Sequence, residues 1–111
     1  MYSTDEKVIG TYLGKSLYRK TFVGSCGQTS AGGGRYSHQS SLMSGIDKIV
    51  NTTGSYTVGS QVFAHGTVLG GMSLTYSDAL VVTNSAMTYD VVINYANVTI
   101  GYDITVEYTK L

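Results

Sequence analysis

The sequence predicts an all-β chain: an antiparallel β-sandwich, jelly-roll-like, of about seven to eight short strands. Three observations predict it. First, residues 98–109 alternate without a miss. Val98, Ile100, Tyr102, Ile104, Val106 and Tyr108 fall on one side, and Thr99, Gly101, Asp103, Thr105, Glu107 and Thr109 on the other. Successive strand side chains point to opposite faces, so a period of two held this long is an extended strand with one apolar face. Second, the chain holds 10 Tyr, 14 Gly and no Pro, with Leu and Ala sparse. Tyr, Thr, Val and Ile suit a pleated surface, and Gly punctuates turns. Third, turn signals recur at the spacing of sandwiches and barrels, roughly every eight to twelve residues.

The elements follow in order. Residues 6–13 read as a first strand, Gly14-Lys15 as a tight connection and residues 17–23 as the returning strand, which makes an N-terminal hairpin over 6–23. Residues 24–34 carry five glycines in eleven positions and have no period, so they read as a surface loop. Residues 35–45 are mixed, and 40–44 suit a single helical turn. Strand character resumes over 46–53, with Ile49 and Val50 as inward candidates. Thr53-Gly54 reads as a turn, and 55–64 as another strand with a bulge at Gly59. Residues 66–71 are loop-like. Two short strands, 72–76 and 80–83, flank Ser77-Asp78, and Asn84-Ser85 turns. In residues 87–95, Met87, Tyr89, Val91, Ile93 and Tyr95 alternate with polar or smaller neighbours, and Ala96-Asn97 turns into the last strand. This predicts a terminal hairpin over 87–109.

A length of 111 residues suits one domain, 1–111. Seven basic residues balance seven acidic ones. No clustered basic face is available for phosphates, so nucleic acid is not an expected partner. No apolar run reaches membrane-spanning length, so no membrane insertion is expected. Residues 2–7 are polar and lack the basic and apolar regions of a signal peptide. Cys26 is the only cysteine, which rules out an internal disulfide.

Little in the chain points to catalysis. His38 and His65 are the only histidines, whereas a zinc site needs three or four ligands at workable spacing. No metal and no cofactor is expected. Cys26 sits among glycines, a poor place to hold a nucleophile rigidly. No Gly-x-Ser-x-Gly elbow occurs, and Gly32-Gly33-Gly34-Arg35 lacks the ending of a phosphate loop. Asp103 and Glu107 share a strand face but lie roughly 13 Å apart, too far for a glycosidase pair. No catalytic residue is therefore expected.

Binding is better represented. Tyrosine offers an apolar ring and a polar tip, which suits protein interfaces and sugar faces alike. Tyr36, beside the Gly-rich stretch, and Tyr76, beside Asp78, are candidate ligand contacts together with His38 and Asp78. For His38 the competing role is to satisfy a backbone group near the strand that starts at Ile46. Val98, Ile100, Tyr102, Ile104, Val106 and Tyr108 are candidates for core or for a subunit interface.

Residues 2–22 (Tyr2-Ser3-Thr4-Asp5-Glu6-Lys7-Val8-Ile9-Gly10-Thr11-Tyr12-Leu13-Gly14-Lys15-Ser16-Leu17-Tyr18-Arg19-Lys20-Thr21-Phe22) match much of the pattern Y-S-T-x-E-x-x-I-G-x-W-x-D-G-K-x-L-Y-x-K-T. His38 followed by Gly45-Ile46-Asp47-Lys48-Ile49-Val50 matches a His and an I-D-x-I-V strand. The ending Ile104-Thr105-Val106-Glu107-Tyr108-Thr109-Lys110 matches x-T-[IVL]-E-Y-T-K. Together these pieces resemble a small β-domain of structural proteins of bacteriophages and prophages of Gram-positive and gut bacteria. Tyr12 stands where that pattern has Trp, and its Asp-Gly turn is shortened here to Gly14-Lys15. The resemblance implies a virion component, such as a tail-fibre, baseplate or head-fibre module. It implies a homotrimer packed against other virion proteins, in some cases touching host surface polysaccharide, and no enzymatic activity. The alternatives are a free-standing bacterial lectin-like domain that binds carbohydrate, or a small hydrolase built on Cys26 or on Asp78, Asp103 and Glu107.

Overall fold

The computed structural model describes residues 4–28, 36–67, 69–70, 75–93 and 98–111, with the backbone alone at 26–28, 36–39, 69–70, 75–76, 93 and 98. Nine strands run through the described residues: β1 (Lys7–Tyr12), β2 (Lys15–Gln28), β3 (Tyr36–Ser44), β4 (Ile46–Val58), β5 (Gln61–Ala64), β6 (Leu69–Gly70), β7 (Thr75–Thr83), β8 (Ala86–Ile93) and β9 (Val98–Lys110). They form two antiparallel sheets, one in the order β1-β2-β9-β4-β5 and one in the order β3-β8-β7-β6. The all-β sandwich expected from the alternation is what folds. Its outer windings are jelly-roll-like. β2 lies beside β9 in the first sheet, β3 beside β8 in the second, and β4 returns to the far side of β9. The inner windings then stop crossing. β5 folds straight back on β4, and β7 pairs with the β8 that follows it.

β9 is the spine of the first sheet because it carries the longest unbroken alternation. It pairs with β2 from Tyr18↔Tyr108 to Gln28↔Val98, and with β4 from Ile46↔Lys110 to Val58↔Ile100. Ile100, Ile104, Val106 and Tyr108 are 0% exposed, and they pack with Ile46, Tyr56, Val58 and Phe22 of the same sheet. Met87, Tyr89 and Val91 of β8 complete the core from the other sheet. Each such aliphatic side chain contributes roughly 1.5–3 kcal/mol when fully buried. Tyr102 is half-buried against the core. Among the described residues, Ile100, Ile104, Val106 and Tyr108 of the apolar side of β9 are thus core within one copy, while the side chain of Val98 lies outside the described residues. The opposite side is not bare, since Thr21 and Thr105 hydrogen-bond across the β2–β9 pair at 2.7 Å.

The N-terminal hairpin forms as predicted, but its turn is Leu13-Gly14. Both residues have positive φ, 49° and 82°, as a two-residue turn that follows the strand twist requires. Asn84 and Ser85, at 51° and 66°, build the same kind of turn between β7 and β8.

Seven expectations need correction. Residues 55–64 are not one strand with a bulge: Gly59-Ser60 is the turn between β4 and β5, with Gly59 at a φ of 61°. Residues 69–70, expected in a loop, form the short strand β6. Residues 24–28 are strand, not loop, because the long β9 offers them a ladder through Gln28; the rest of the predicted Gly-rich loop, 29–34, lies outside the described residues. Residues 40–44 belong to β3, whose polar side chains tolerate an edge position. Gly54 is not a turn, since β4 runs straight through it. Its φ of 136° and a would-be Cβ 2.1 Å from the Asp103 carbonyl oxygen show why glycine is needed where β9 passes so close. Ser77-Asp78 does not split two strands, because β7 is continuous there. Finally, β8 and β9 are not a hairpin. They sit in different sheets, with residues 94–97 outside the described residues.

Candidate functional site

The most heavily engaged polar group is Asp78. Strand alternation in β7 aims its side chain inward, beside Val91 of β8, and the carboxylate has no exposed surface. Three donors reach it. His65 Nδ1 lies 2.6 Å from Oδ2, the Tyr89 hydroxyl donates to Oδ2 at 2.6 Å, and the Gly66 amide donates to Oδ1 at 2.7 Å. An ionised carboxylate only accepts, so the proton of His65 sits on Nδ1. Burial alone would raise the Asp78 pKa. The hydrogen bonds from His65, Tyr89 and Gly66, with the field of His65, more than offset it and hold the carboxyl below its ordinary value. Tyr89 moves the other way, because burial and the adjacent carboxylate both oppose a phenolate.

The network joins both sheets. Residues 65–67 follow β5 of the first sheet and lead towards β6 of the second. Asp78 and Tyr89 hold this crossover from the second sheet. From the first, the Tyr56 hydroxyl donates to the Thr67 carbonyl at 2.7 Å. Tyr89 also meets Tyr102 of β9, ring centres 4.6 Å apart and tilted by 43°. An Asp–His pair of this kind can orient an imidazole for base catalysis. Here the same carboxylate also closes a buried tyrosine and a turn amide, as a structural tie does.

The register places the sequence-predicted residues as follows. Tyr36 and Tyr76 both stand opposite Ile93, and His38 and Asp78 both stand opposite Val91. The four therefore occupy two adjacent rows of one sheet. The side chains of Tyr36, His38 and Tyr76 lie outside the described residues. Asp78 is corrected: it is an internal acceptor, not an exposed ligand contact. His65 and Gly66, at the start of the stretch read as loop-like, are tied inward by it. Sequence reading missed His65, Gly66 and Tyr89 as its partners, and Tyr56 as a second tie on the same crossover. A signal was present, since Tyr89 sits on an apolar face and a buried phenol needs an acceptor.

A second polar cluster closes one end of the first sheet. Glu6 accepts from the Tyr108 hydroxyl and, at 2.6 Å, from Lys110. Burial works against the Glu6 charge, but these two donors and nearby Lys20 prevail and lower its pKa. Tyr18 stacks on Tyr108 with ring centres 5.9 Å apart, and Lys110 caps Tyr18 at 4.6 Å from its ring centre. Lys15 donates to Asp47 at 3.1 Å and to the Lys110 carbonyl at 3.3 Å, while Thr109 donates to Asp47 at 3.4 Å. This clasp ties the start of the chain, β4 and the end of β9 together.

The two clusters and the sheets that carry them define a small antiparallel β-sandwich held by polar ties at two points. Compared with protein-family models, curated proteins and solved structures, the chain matches none of them. Among the described residues, no group of three or more His, Cys, Asp or Glu side chains is placed to hold a metal ion.

Proposed function

We propose that this chain is a non-enzymatic structural module of a virion, a tail- or head-fibre or receptor-binding-tip domain that assembles as a homotrimer and touches host surface glycans. The observation that carries the reading is the convergence of the three motif-bearing stretches. Glu6, Lys15 and Tyr18 come from the first, Asp47 from the second, and Tyr108, Thr109 and Lys110 from the third, and all seven meet in the clasp. Residues from all three stretches behind the phage resemblance thus gather at one end of the first sheet, which supports a shared architecture. The commitment of Asp78 to three donors supports a role without turnover.

Subunit contact falls to the N-terminal hairpin rather than to β9. Leu13 is 77% and Val8 62% exposed, with Ile9 and Tyr12 also exposed beside them. The formal net charge of zero leaves little repulsion between copies. Sedimentation equilibrium of the purified chain at micromolar concentration is expected to give a three-chain mass. Combining Val8→Lys with Leu13→Lys is expected to shift it to a folded monomer. A monomeric wild-type chain removes the trimer. Immunogold electron microscopy of purified particles tests the virion setting, and its absence from them favours the alternative, a free-standing bacterial lectin-like domain.

A further inference from the structure

A cleft of about 340 Å³ is lined by β2 and β9 of the first sheet and by β3, the edge strand of the second. That size sits at the low end of small-molecule sites, roughly 300–1,000 Å³. Phe22 and Tyr102 supply aromatic surface, Leu42 supplies an apolar wall, and Thr4 and Ser41 bring hydroxyls. Tyr102 crosses the sheet over Gly24, where a Cβ would come within 2.4 Å of its hydroxyl, so the missing side chain at Gly24 makes room for the ring.

Lys20 is the informative residue. It pairs with fully buried Val106 and so occupies an inward row between Tyr18 and Phe22, a place where the alternation calls for an apolar side chain. Its ammonium lies 5.2 Å from the centre of the Phe22 ring, at the cleft. No carboxylate lines the cleft among the described residues. Lys20 also acts on Glu6, whose two oxygens are already held by Lys110 and Tyr108. A cation, aromatic surface and hydroxyls around a space of this size are complementary to a sugar ring that bears a carboxylate.

We propose that this cleft binds an acidic saccharide unit, with Lys20 taking the carboxylate, Tyr102 taking the apolar ring face, and Thr4 and Ser41 meeting the hydroxyls. The proposal rests on the glycan-contact part of the reading above and names its site and ligand class. The test is an amide chemical-shift titration of the full chain with galacturonic acid, with galactose and sodium acetate as comparators at matched ionic strength. Saturable shifts are expected at residues 20–23, 41–42 and 102 with galacturonic acid. Galactose and the Lys20→Gln variant with galacturonic acid are each expected to bind about tenfold more weakly, the loss of one charge-assisted hydrogen bond. Lys20→Arg is expected to retain binding. Equal binding of acetate overturns the saccharide class. Equal binding of galactose, or an unchanged Lys20→Gln, overturns the role of Lys20. No localised shifts with galacturonic acid overturn the site. None of these outcomes bears on the trimer or the virion setting, which sedimentation and microscopy decide separately.

Discussion

The two polar clusters use the same chemistry at different depths. In each, a carboxylate accepts from a tyrosine hydroxyl and from a nitrogen donor. Around Asp78 the carboxylate is wholly enclosed, and His65 is only 10% exposed on its side chain. Around Glu6 and Asp47 the charges stand half in water. An enclosed carboxylate cannot fall back on solvent, so losing one partner strands the rest. Half-exposed ion pairs are screened and replaceable. The comparison teaches that the sandwich is locked at the sheet-to-sheet crossover and only trimmed at the clasp.

The largest break is expected from Asp78→Ala. It strands the Tyr89 hydroxyl, the Gly66 amide and His65, and is expected to cost about 3–5 kcal/mol in urea unfolding. A cost below that of a surface substitution contradicts the enclosed role.

Acid sharpens the same contrast. The Asp78 carboxyl is lowered in the folded state, so its contribution is complete above the ordinary carboxyl range, about pH 4, and is lost as pH falls through the folded value. Asp78→Asn is expected to flatten the acid limb of the stability curve clearly. Glu6→Gln, with the same sign of shift, is expected to flatten it less.

At high pH the sign reverses. Burial, then the negative Asp78, pushes the Tyr56 phenol up to about 12. Its contribution is full below about pH 10 and is lost as pH rises through the folded value. Tyr56→Phe removes the bond to the Thr67 carbonyl and is expected to cost about 1 kcal/mol at neutral pH and to soften the alkaline limb. Thermal melts from pH 7 to 11.5 check both.

The smallest effect belongs to the clasp. Glu6→Gln is expected to cost at most about 1 kcal/mol, shrinking as salt is raised to about 1 M. A salt-independent loss as large as that of Asp78→Ala would merge the two regions into one class.

How much of this was legible varies by element. β9 was readable residue by residue, because one of its faces is wholly apolar and the other wholly not. β3 was not, because the polar run through Gln39, Ser40 and Ser41 serves an edge strand that asks for little apolar surface. The parting of β8 and β9 into different sheets was hidden as well, since a short polar connection looks the same whether it turns a hairpin or crosses a sandwich. At the site, Asp78 drew notice, but its role was inverted. Ser77-Asp78 reads locally as a turn, and only the distant His65, Gly66 and Tyr89 reveal an acceptor. The clasp was legible as motif and not as geometry, because Glu6 and Lys110 are brought together only when β1 pairs with β2 and β2 with β9.

Native-state hydrogen exchange at the Gly66 amide tests the lock most directly. If the crossover is held by an enclosed Asp78, this amide exchanges only when the molecule unfolds, as slowly as that of Ile104. Exchange at the rate of an open turn, with the core still protected, would contradict it.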